Sequence, residues 1–236
     1  MIVTASNINA AQAAKAATST IPVVVAVGFD PVRAGLVASL NRPGGNVTGV
    51  SFQNSEIEPK RLEMLRELVP QATTIAFLVN PTNSEIEQNL EIMLTAARSV
   101  GQKIIVSRAS TANEIETVFA TLAEQGAGGL LVIADGFFAS RRDQLITLAA
   151  RHRIPSVYFD PGFVTAGGLM SYSDDRLESW RQAGLYVGRI LKGEKPADLP
   201  VLQPVKFEFD INLKTAKTLG IEFPPSFHLR ATEVIE

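Results

Sequence analysis

The chain has no cysteine among its 236 residues, which excludes disulfides, thiol nucleophiles and metal sites built on cysteine. It also has no apolar run of the roughly 18–20 residues that a membrane span requires. The first residues, Met1 to Ala5, show neither the basic nor the apolar segment of a signal peptide. Neither basic nor acidic residues are in large excess, because the formal net charge is −2. Lysine and arginine are spread along the chain and form no basic stripe. We therefore expect no nucleic acid among its partners.

Motifs that carry catalysis or hold cofactors are also missing. The glycine-rich segment Gly44–Gly49 fits neither the dinucleotide fingerprint G-x-G-x-x-G nor the phosphate loop G-x-x-x-x-G-K-[ST], and we interpret it as a turn. No G-x-S-x-G nucleophile elbow is present. His152 ends a predicted helix and His228 lies near the C-terminus, and neither has a second metal-ligand residue beside it. The sequence therefore predicts no catalytic residue, no cofactor and no metal site.

Short β-rich runs alternate with amphipathic segments from one end of the chain to the other. Most of the runs are continuously apolar, which is typical of strands buried on both faces in a parallel sheet covered by helices. This alternation predicts the α/β class, with parallel sheets and right-handed crossovers. The predicted strands are Ile2–Thr4, Val23–Val27, Thr74–Val79, Lys103–Val106, Gly129–Ala134, Ser156–Phe159, Leu169–Tyr172 and Val205–Phe209.

The helices between these strands have recognisable start signals. Thr111 and Glu114 have the spacing of a capping box, in which each residue satisfies a backbone N–H at the helix start. Asp30 followed by Pro31 predicts an N-cap with proline in the first helical turn. A long helix should run from about Asp174 to Lys192 and end at Gly193.

Polar side chains follow the predicted strands at the point where each strand ends. In parallel α/β sheets, ligands bind beyond the carboxyl ends of the strands, where helix N-termini also offer free backbone N–H groups. A few polar anchors beside aromatic walls are what a small-molecule pocket needs. The sequence therefore predicts ligand-binding residues in these loops. They are Ser6, Asn7, Gly28, Asp30, Asn80, Thr82, Asn83, Asp135, Phe137, Phe138, Asp160 and Phe163.

Five segments, spread over nearly the whole chain, resemble the family of ABC transporter substrate-binding proteins that includes tryptophan- and tyrosine-type binders. The most specific stretch is Asn41–Gly49, with the sequence Asn-Arg-Pro-Gly-Gly-Asn-Val-Thr-Gly. On this basis the chain is identified as a member of that family. The segments are Ala13–Val25, Gly28–Val50, Lys60–Pro70, Ile190–Asp198 and Asn212–Ile221.

The resemblance implies a type I periplasmic-binding-protein fold, in which the chain crosses three times between two Rossmann-like lobes. A small molecule would lie in the cleft between the lobes, and closure of the hinge would bury it. The implied partners are this small-molecule ligand, an ABC permease and its ATPase, and the implied location is periplasmic or otherwise extracytoplasmic. One lobe is expected to comprise residues 1–50 and 174–198, and the other residues 51–173 and 199–236.

The start of the chain departs from the family pattern. Members usually begin with a signal sequence and two further βα units of the first lobe, whereas Met1 here enters at what resembles a later strand. We therefore interpret the chain as N-terminally truncated, with an incomplete first lobe. Such a lobe would expose an apolar sheet edge, which predicts self-association.

Two other functions stay open at this point. The ligand-sensing domain of a transcriptional regulator can share this fold, although the chain has no helix-turn-helix. A small α/β enzyme would use Asp135 or Asp160 as acid or base, but neither has a basic or histidine partner in the sequence. The family resemblance favours an amino acid or related metabolite as ligand. The aromatic residues Phe137, Phe138, Phe163 and Tyr158 favour an aromatic or branched one.

Overall fold

A computed structural model describes residues 1–5, 8–52, 54–83 and 86–236, in which strands and helices alternate as predicted. The strands are β1 (Ile2–Ala5), β2 (Val23–Val27), β3 (Val47–Ser51), β4 (Thr74–Val79), β5 (Lys103–Arg108), β6 (Gly129–Val132), β7 (Ser156–Tyr158), β8 (Met170–Asp174), β9 (Phe207–Asn212) and β10 (Glu233–Ile235). The helices are α1 (Ile8–Ala17), α2 (Asn54–Leu68), α3 (Ile86–Ser99), α4 (Ala112–Glu124), α5 (Gly136–Ser140), α6 (Arg142–Arg151), α7 (Pro161–Thr165), α8 (Arg176–Leu191), α9 (Leu213–Leu219) and α10 (Pro225–Arg230). None of the helices in these ranges combines the length and apolar character that crossing a bilayer demands.

Two compact units divide the chain. The first comprises Met1–Ser55 and Asp174–Phe207, and the second comprises Glu56–Ser173 and Glu208–Glu236. Each unit has its own parallel sheet and its own hydrophobic core, as each layer of an α/β domain requires.

In the first unit, three parallel strands form a sheet in the order β1-β2-β3. Every residue of the central strand β2 is buried, because both of its faces are covered. Val23, Val25 and Val27 pack in the same cluster as alanines of α1, whereas Val24 and Ala26 pack against residues of α8. A continuous run of small apolar residues is what this two-sided burial requires.

The strand β3 was not predicted, since a turn-rich segment leads directly into it. Its residues pair in parallel register with β2, and the later chain then lies along it. Thr48 Oγ1 donates a hydrogen bond to Leu199 O (2.6 Å), and the Leu202 N–H donates to Gly49 O (2.9 Å). These bonds join Leu199 and Leu202 to β3 within the first unit.

The segment after Asp30 is a turn, and the predicted helix does not form. Asp30 does cap this turn, because its Oδ1 accepts hydrogen bonds from the backbone N–H groups of Val32 (2.8 Å) and Arg33 (3.3 Å). Gly35 then adopts a φ of +69°, a left-handed conformation that ends the helical path after one turn. The cap was predicted correctly and the helix was not.

The second unit is built on a seven-stranded sheet in the order β10-β9-β8-β7-β6-β4-β5. The strands from β5 to β8 run parallel. Alternate residues of β4 face opposite cores, with Phe77 in one and Leu78 in the other. The helices α2, α3, α9 and α10 cover the first face, while α4 and α6 cover the second. The carboxyl ends of β4, β6, β7 and β8 therefore lie side by side at one edge of the sheet.

The capping box at the start of α4 is confirmed. The N-cap residue Thr111 accepts a hydrogen bond from the Glu114 N–H (3.2 Å), and the Glu114 carboxylate accepts one from the Thr111 N–H (3.0 Å). Hydrogen bonds from Ser110 and Thr111 lower the pKa of Glu114. The sequence spacing was sufficient here because both partners lie within one turn of the chain.

A buried carboxyl group on β9 should make folding depend on pH. Asp210 is only 4% exposed and lies in register with Glu233 on the neighbouring strand β10. Burial, and to a smaller extent the nearby carboxylates of Glu208 and Glu233, raise the pKa of Asp210 to about 6. The folded state therefore binds this proton more tightly than the unfolded chain does.

We expect the free energy of unfolding to fall as the pH rises from about 4 to about 6, because the unfolded chain releases this proton first. The expected contribution is about 1–2 kcal/mol, since water at the sheet edge screens part of the repulsion. Asp210→Asn should remove this slope and stabilise the protein at pH 7. Urea denaturation at pH 4, 5, 6 and 7 measures the effect, with Asp143→Asn as a control for removal of an exposed charge. An unchanged slope in Asp210→Asn would contradict the assignment.

Candidate ligand-binding site

The loops at the carboxyl edge of the seven-stranded sheet bring several predicted residues together. Asn80 follows β4 directly, and two residues separate the end of β6 from Asp135. Because β4 and β6 are neighbours in the sheet, the two side chains meet. Asn80 Nδ2 donates a hydrogen bond to Asp135 Oδ1 (3.0 Å).

Two further residues of the β4 loop complete this network. Asn83 Nδ2 donates to Asp135 Oδ2 (2.9 Å), so that an asparagine holds each oxygen of the carboxylate. Thr82 fixes the orientation of the Asn80 side chain, because the Thr82 N–H (3.1 Å) and Oγ1 (2.8 Å) both donate hydrogen bonds to Asn80 Oδ1. We refer to Asn80, Thr82, Asn83 and Asp135 as the Asp135 cluster.

The Asp135 carboxylate is oriented by neutral donors and remains partly exposed. Besides the two asparagines, it accepts the Phe137 N–H at Oδ1 (2.8 Å), as the N-cap of α5. A carboxylate offers about four lone-pair positions, of which these three bonds occupy three. Among the described residues, no lysine, arginine or histidine forms an ion pair with Asp135. Within the described part of the chain, one acceptor position on Oδ2 and the negative charge are therefore without a partner.

Aromatic residues near this edge divide between the surface and the core. The ring of Phe137 is half-buried, and the Arg141 guanidinium lies 6.0 Å from its centroid. Phe138 and Phe163 are 0% and 1% exposed, and Phe163 stacks on Tyr158 with ring centroids 4.5 Å apart. Phe138 and Phe163 therefore pack in the hydrophobic core of the second unit. Of the three predicted phenylalanines, Phe137 is the one that is partly exposed, and it lies two residues after Asp135.

Asp160 occupies the equivalent place at the end of β7. Its Oδ1 accepts the Gly162 N–H (2.9 Å), which makes Asp160 the N-cap of α7. None of the described hydrogen bonds joins it to the Asp135 cluster. The structure therefore shows a helix-capping role for Asp160.

The remaining predicted residues belong to the first unit. Gly28 follows β2 and is half-buried, and Asp30 is exposed and caps the turn described above. Ser6 and Asn7 lie outside the described residues. Within the described ranges, no three histidine, cysteine or acidic side chains converge as a metal site would need.

The helix α2 carries a buried ion pair that was not predicted from the sequence. Arg61 on α2 is 0% exposed and Glu58 is 2% exposed. Arg61 Nη1 donates to Glu58 Oε1, and Arg61 Nε donates to Tyr172 O (2.7 Å) in β8. In the sequence this pair cannot be distinguished from Lys60 and Glu63, an exposed pair on the same helix, because both pairs have i, i+3 spacing. One signal could have found it: Arg61 interrupts the apolar stripe that packs α2 on the sheet.

Burial raises the pKa of Glu58, and the Arg61 guanidinium opposes this effect. The Ala134 N–H, just before Asp135, also lowers the pKa and so lies close to the carboxylate. Glu58 Oε2 accepts no hydrogen bond from the described residues. Arg61 Nη2 has no hydrogen-bond acceptor among them either. The pair thus ties α2 to the middle of β8.

Known proteins resemble this chain over most of its length. The family model described as "ABC transporter substrate binding protein" matches residues 1–235. The chain is 30% identical over 212 residues to a tyrosine-binding protein of Clostridioides difficile (strain R20291). This match covers 90% of the chain and 61% of the relative, so the chain spans about three-fifths of that protein's length.

Two solved structures support the same assignment. A conserved domain protein of Vibrio cholerae O1 biovar eltor str. N16961 matches with a TM-score of 0.86 and 29% identity, over 98% of this chain and 77% of that one. An ABC domain from Streptococcus pneumoniae in complex with L-Trp matches with a TM-score of 0.85 and 30% identity, over 100% and 80%. These matches confirm the predicted α/β fold of the type I periplasmic-binding-protein class. The chain belongs to the family of ABC transporter substrate-binding proteins.

Proposed function

We propose that this protein binds an amino acid without transforming it, and that Asp135 holds the α-ammonium group. The observation that carries the proposal is the Asp135 carboxylate, which Asn80 and Asn83 orient at the carboxyl edge of the sheet. Neutral donors fix its direction, and none of the described basic side chains forms an ion pair with it. An ammonium group complements both the charge and the remaining acceptor position on Oδ2, and such charge-assisted hydrogen bonds are the stronger ones.

We further propose an aromatic amino acid as the ligand. The half-buried ring of Phe137 offers an apolar surface beside the carboxylate, and an aromatic side chain packs well against such a ring. The related proteins point in the same direction, because one is named for tyrosine and another was solved with L-Trp.

Family membership favours a binding protein over the two alternatives, a sensor domain and an enzyme. Asp135 and Asp160, which an enzyme would use as acid or base, each accept a backbone N–H as a helix cap. Three features come to this chain only as proposals from its family. They are enclosure of the ligand between two lobes, delivery to an ABC permease with its ATPase, and a location outside the cytoplasm.

A thermal-shift screen against the twenty amino acids and several sugars tests this function. A ligand at a hundredfold excess over its Kd adds about 2.7 kcal/mol to the stability of the native state. In a chain of this size we expect an aromatic amino acid to raise the Tm by about 5 °C or more. A shift with sugars and with no amino acid would contradict the proposal.

A further inference from the structure

We infer that the Thr82 hydroxyl is a positioning group for the ligand site and acts on Asp135 through the amide of Asn80. The inference rests on the proposed function, which gives Asp135 its ligand. Thr82 Oγ1 donates a hydrogen bond to Asn80 Oδ1 (2.8 Å), and Asn80 Nδ2 donates one to Asp135 Oδ1 (3.0 Å). Two consecutive hydrogen bonds thus lead from the loop after β4 to the carboxylate that follows β6. Thr82 does not have to touch the ligand for this role.

The amide of Asn80 can serve Asp135 in only one of its two orientations. An asparagine side chain has a donor end and an acceptor end, and only the donor end can bond a carboxylate. The Thr82 backbone N–H, which can only donate, bonds Asn80 Oδ1 (3.1 Å) and so turns Nδ2 toward Asp135. One bond at Oδ1 would still let the amide pivot about it. The Thr82 hydroxyl adds a second donor at the same oxygen, and the two together hold the amide in place.

The position of the Asn80 amide decides which oxygen of Asp135 can receive a ligand. Asp135 Oδ1 accepts both Asn80 Nδ2 (3.0 Å) and the Phe137 N–H (2.8 Å), which use its two lone-pair positions. Asn83 Nδ2 uses one position on Oδ2 (2.9 Å) and leaves the other to an ammonium group. If the Asn80 amide pivoted away, Oδ1 would lose a donor and the acceptor position would no longer be fixed on Oδ2.

The backbone of the loop does not depend on the Thr82 hydroxyl. The Asn83 N–H donates to Asn80 O (3.1 Å), and the Ile86 N–H donates to Asn83 O (3.1 Å), so that the main chain closes the turn by itself. Thr82 is exposed, whereas Asn80 is only 7% exposed. Loss of the hydroxyl should therefore leave the turn intact and affect the amide that Asp135 accepts from.

The main test variant is Thr82→Val, which removes the hydroxyl and keeps the shape of the side chain. The first readout is NMR-detected hydrogen exchange in the ligand-free protein. We expect the Asn80 Nδ2 protons to exchange with solvent about tenfold faster, because the amide leaves Asp135 more often. The backbone amides of Asn83 and Ile86 report on the turn itself and should keep their wild-type rates.

The second readout is affinity, measured by calorimetry with L-tyrosine and L-tryptophan as the probes. Thr82→Val should weaken binding about fivefold, the effect expected from the loss of one neutral hydrogen bond. Thr82→Ser keeps a hydroxyl at this position and should recover most of both losses. The matched control is Thr147→Val, which removes another exposed hydroxyl, bonded to Asp143 O (2.7 Å) in α6. This control should change neither the exchange at Asn80 nor the affinity.

Wild-type exchange at Asn80 Nδ2 in Thr82→Val would overturn the inference, and weaker binding without faster exchange would mean that Thr82 contacts the ligand directly. Faster exchange at Asn83 and Ile86 as well would mean that the hydroxyl supports the turn, which also overturns it. So would wild-type affinity in Thr82→Val, or a Thr82→Ser protein that behaves like Thr82→Val.

The exchange rates keep this inference separate from the proposed function. If the wild type binds neither probe, the proposed function fails, while exchange at Asn80 still decides whether Thr82 holds the amide. If Thr82→Val does not fold, Thr82→Ala provides the same two readouts, because alanine also lacks the hydroxyl.

Discussion

Replacing Asp135 with asparagine should weaken amino-acid binding by about 100-fold, or about 2.7 kcal/mol. Removing one partner of a hydrogen-bonded charge pair costs about 2–5 kcal/mol, because the ligand ammonium is left without a counter-charge. Asparagine keeps the size of the side chain and is as good an N-cap as aspartate, so that α5 should still form. Calorimetric titration with L-tyrosine and L-tryptophan measures the change.

Asp143→Asn is the matched control for this variant. It removes the same charge from the same unit, but the Asp143 side chain is 85% exposed and lies outside the Asp135 cluster. Its affinity should match that of the wild type. Equal losses in the two variants would mean that overall charge controls binding, and wild-type affinity in Asp135→Asn would remove Asp135 from the site.

The second large effect concerns folding of the first unit. Gly49 lies in β3 with a φ of +151°, a conformation that residues with a side chain rarely adopt. A Cβ at this position would lie 1.9 Å from Val25 O, which belongs to the backbone of β2. Gly49→Ala should therefore cost at least about 3 kcal/mol through strain and forced separation of the two strands.

Thermal unfolding followed by calorimetry tests this expectation. The transition of the first unit should move to a lower temperature, and that of the second should stay in place if the two unfold separately. Gly184→Ala is the control, because Gly184 lies within α8 and an added Cβ meets no atom within 4 Å. Alanine there should stabilise the helix by about 0.5–1 kcal/mol. A Gly49→Ala protein as stable as the wild type would contradict the close approach.

The buried strands could be predicted because their signal is local. The apolar runs of β2 and β4 are buried along their full length, and such runs are diagnostic in a two-sided parallel sheet. The strand β10 (Glu233–Ile235) was missed, because it has three residues, two of them exposed, and no continuous apolar pattern. The turn after Asp30 was mistaken for a helix, since the cap is local but the stop at Gly35 depends on its backbone conformation.

The same distinction between local and long-range signals applies to the candidate site. Strand ends placed Asn80, Asn83 and Asp135 in neighbouring loops, because parallel strands share a carboxyl edge. The sequence could not show that the three side chains bond to one another, since 55 residues separate Asn80 from Asp135. Burial of Phe138 also depends on contacts with α6 and the sheet, which no local pattern records.

The most direct test of the central claim compares L-tryptophan with N-acetyl-L-tryptophan by calorimetric titration of the wild-type protein. Acetylation keeps the ring and the carboxylate but removes the positive charge that Asp135 is proposed to bind. The proposal predicts saturable binding of L-tryptophan and a loss of at least about 100-fold for the acetylated form. Equal affinity for the two compounds would contradict it, because the ammonium group would then contribute nothing to recognition.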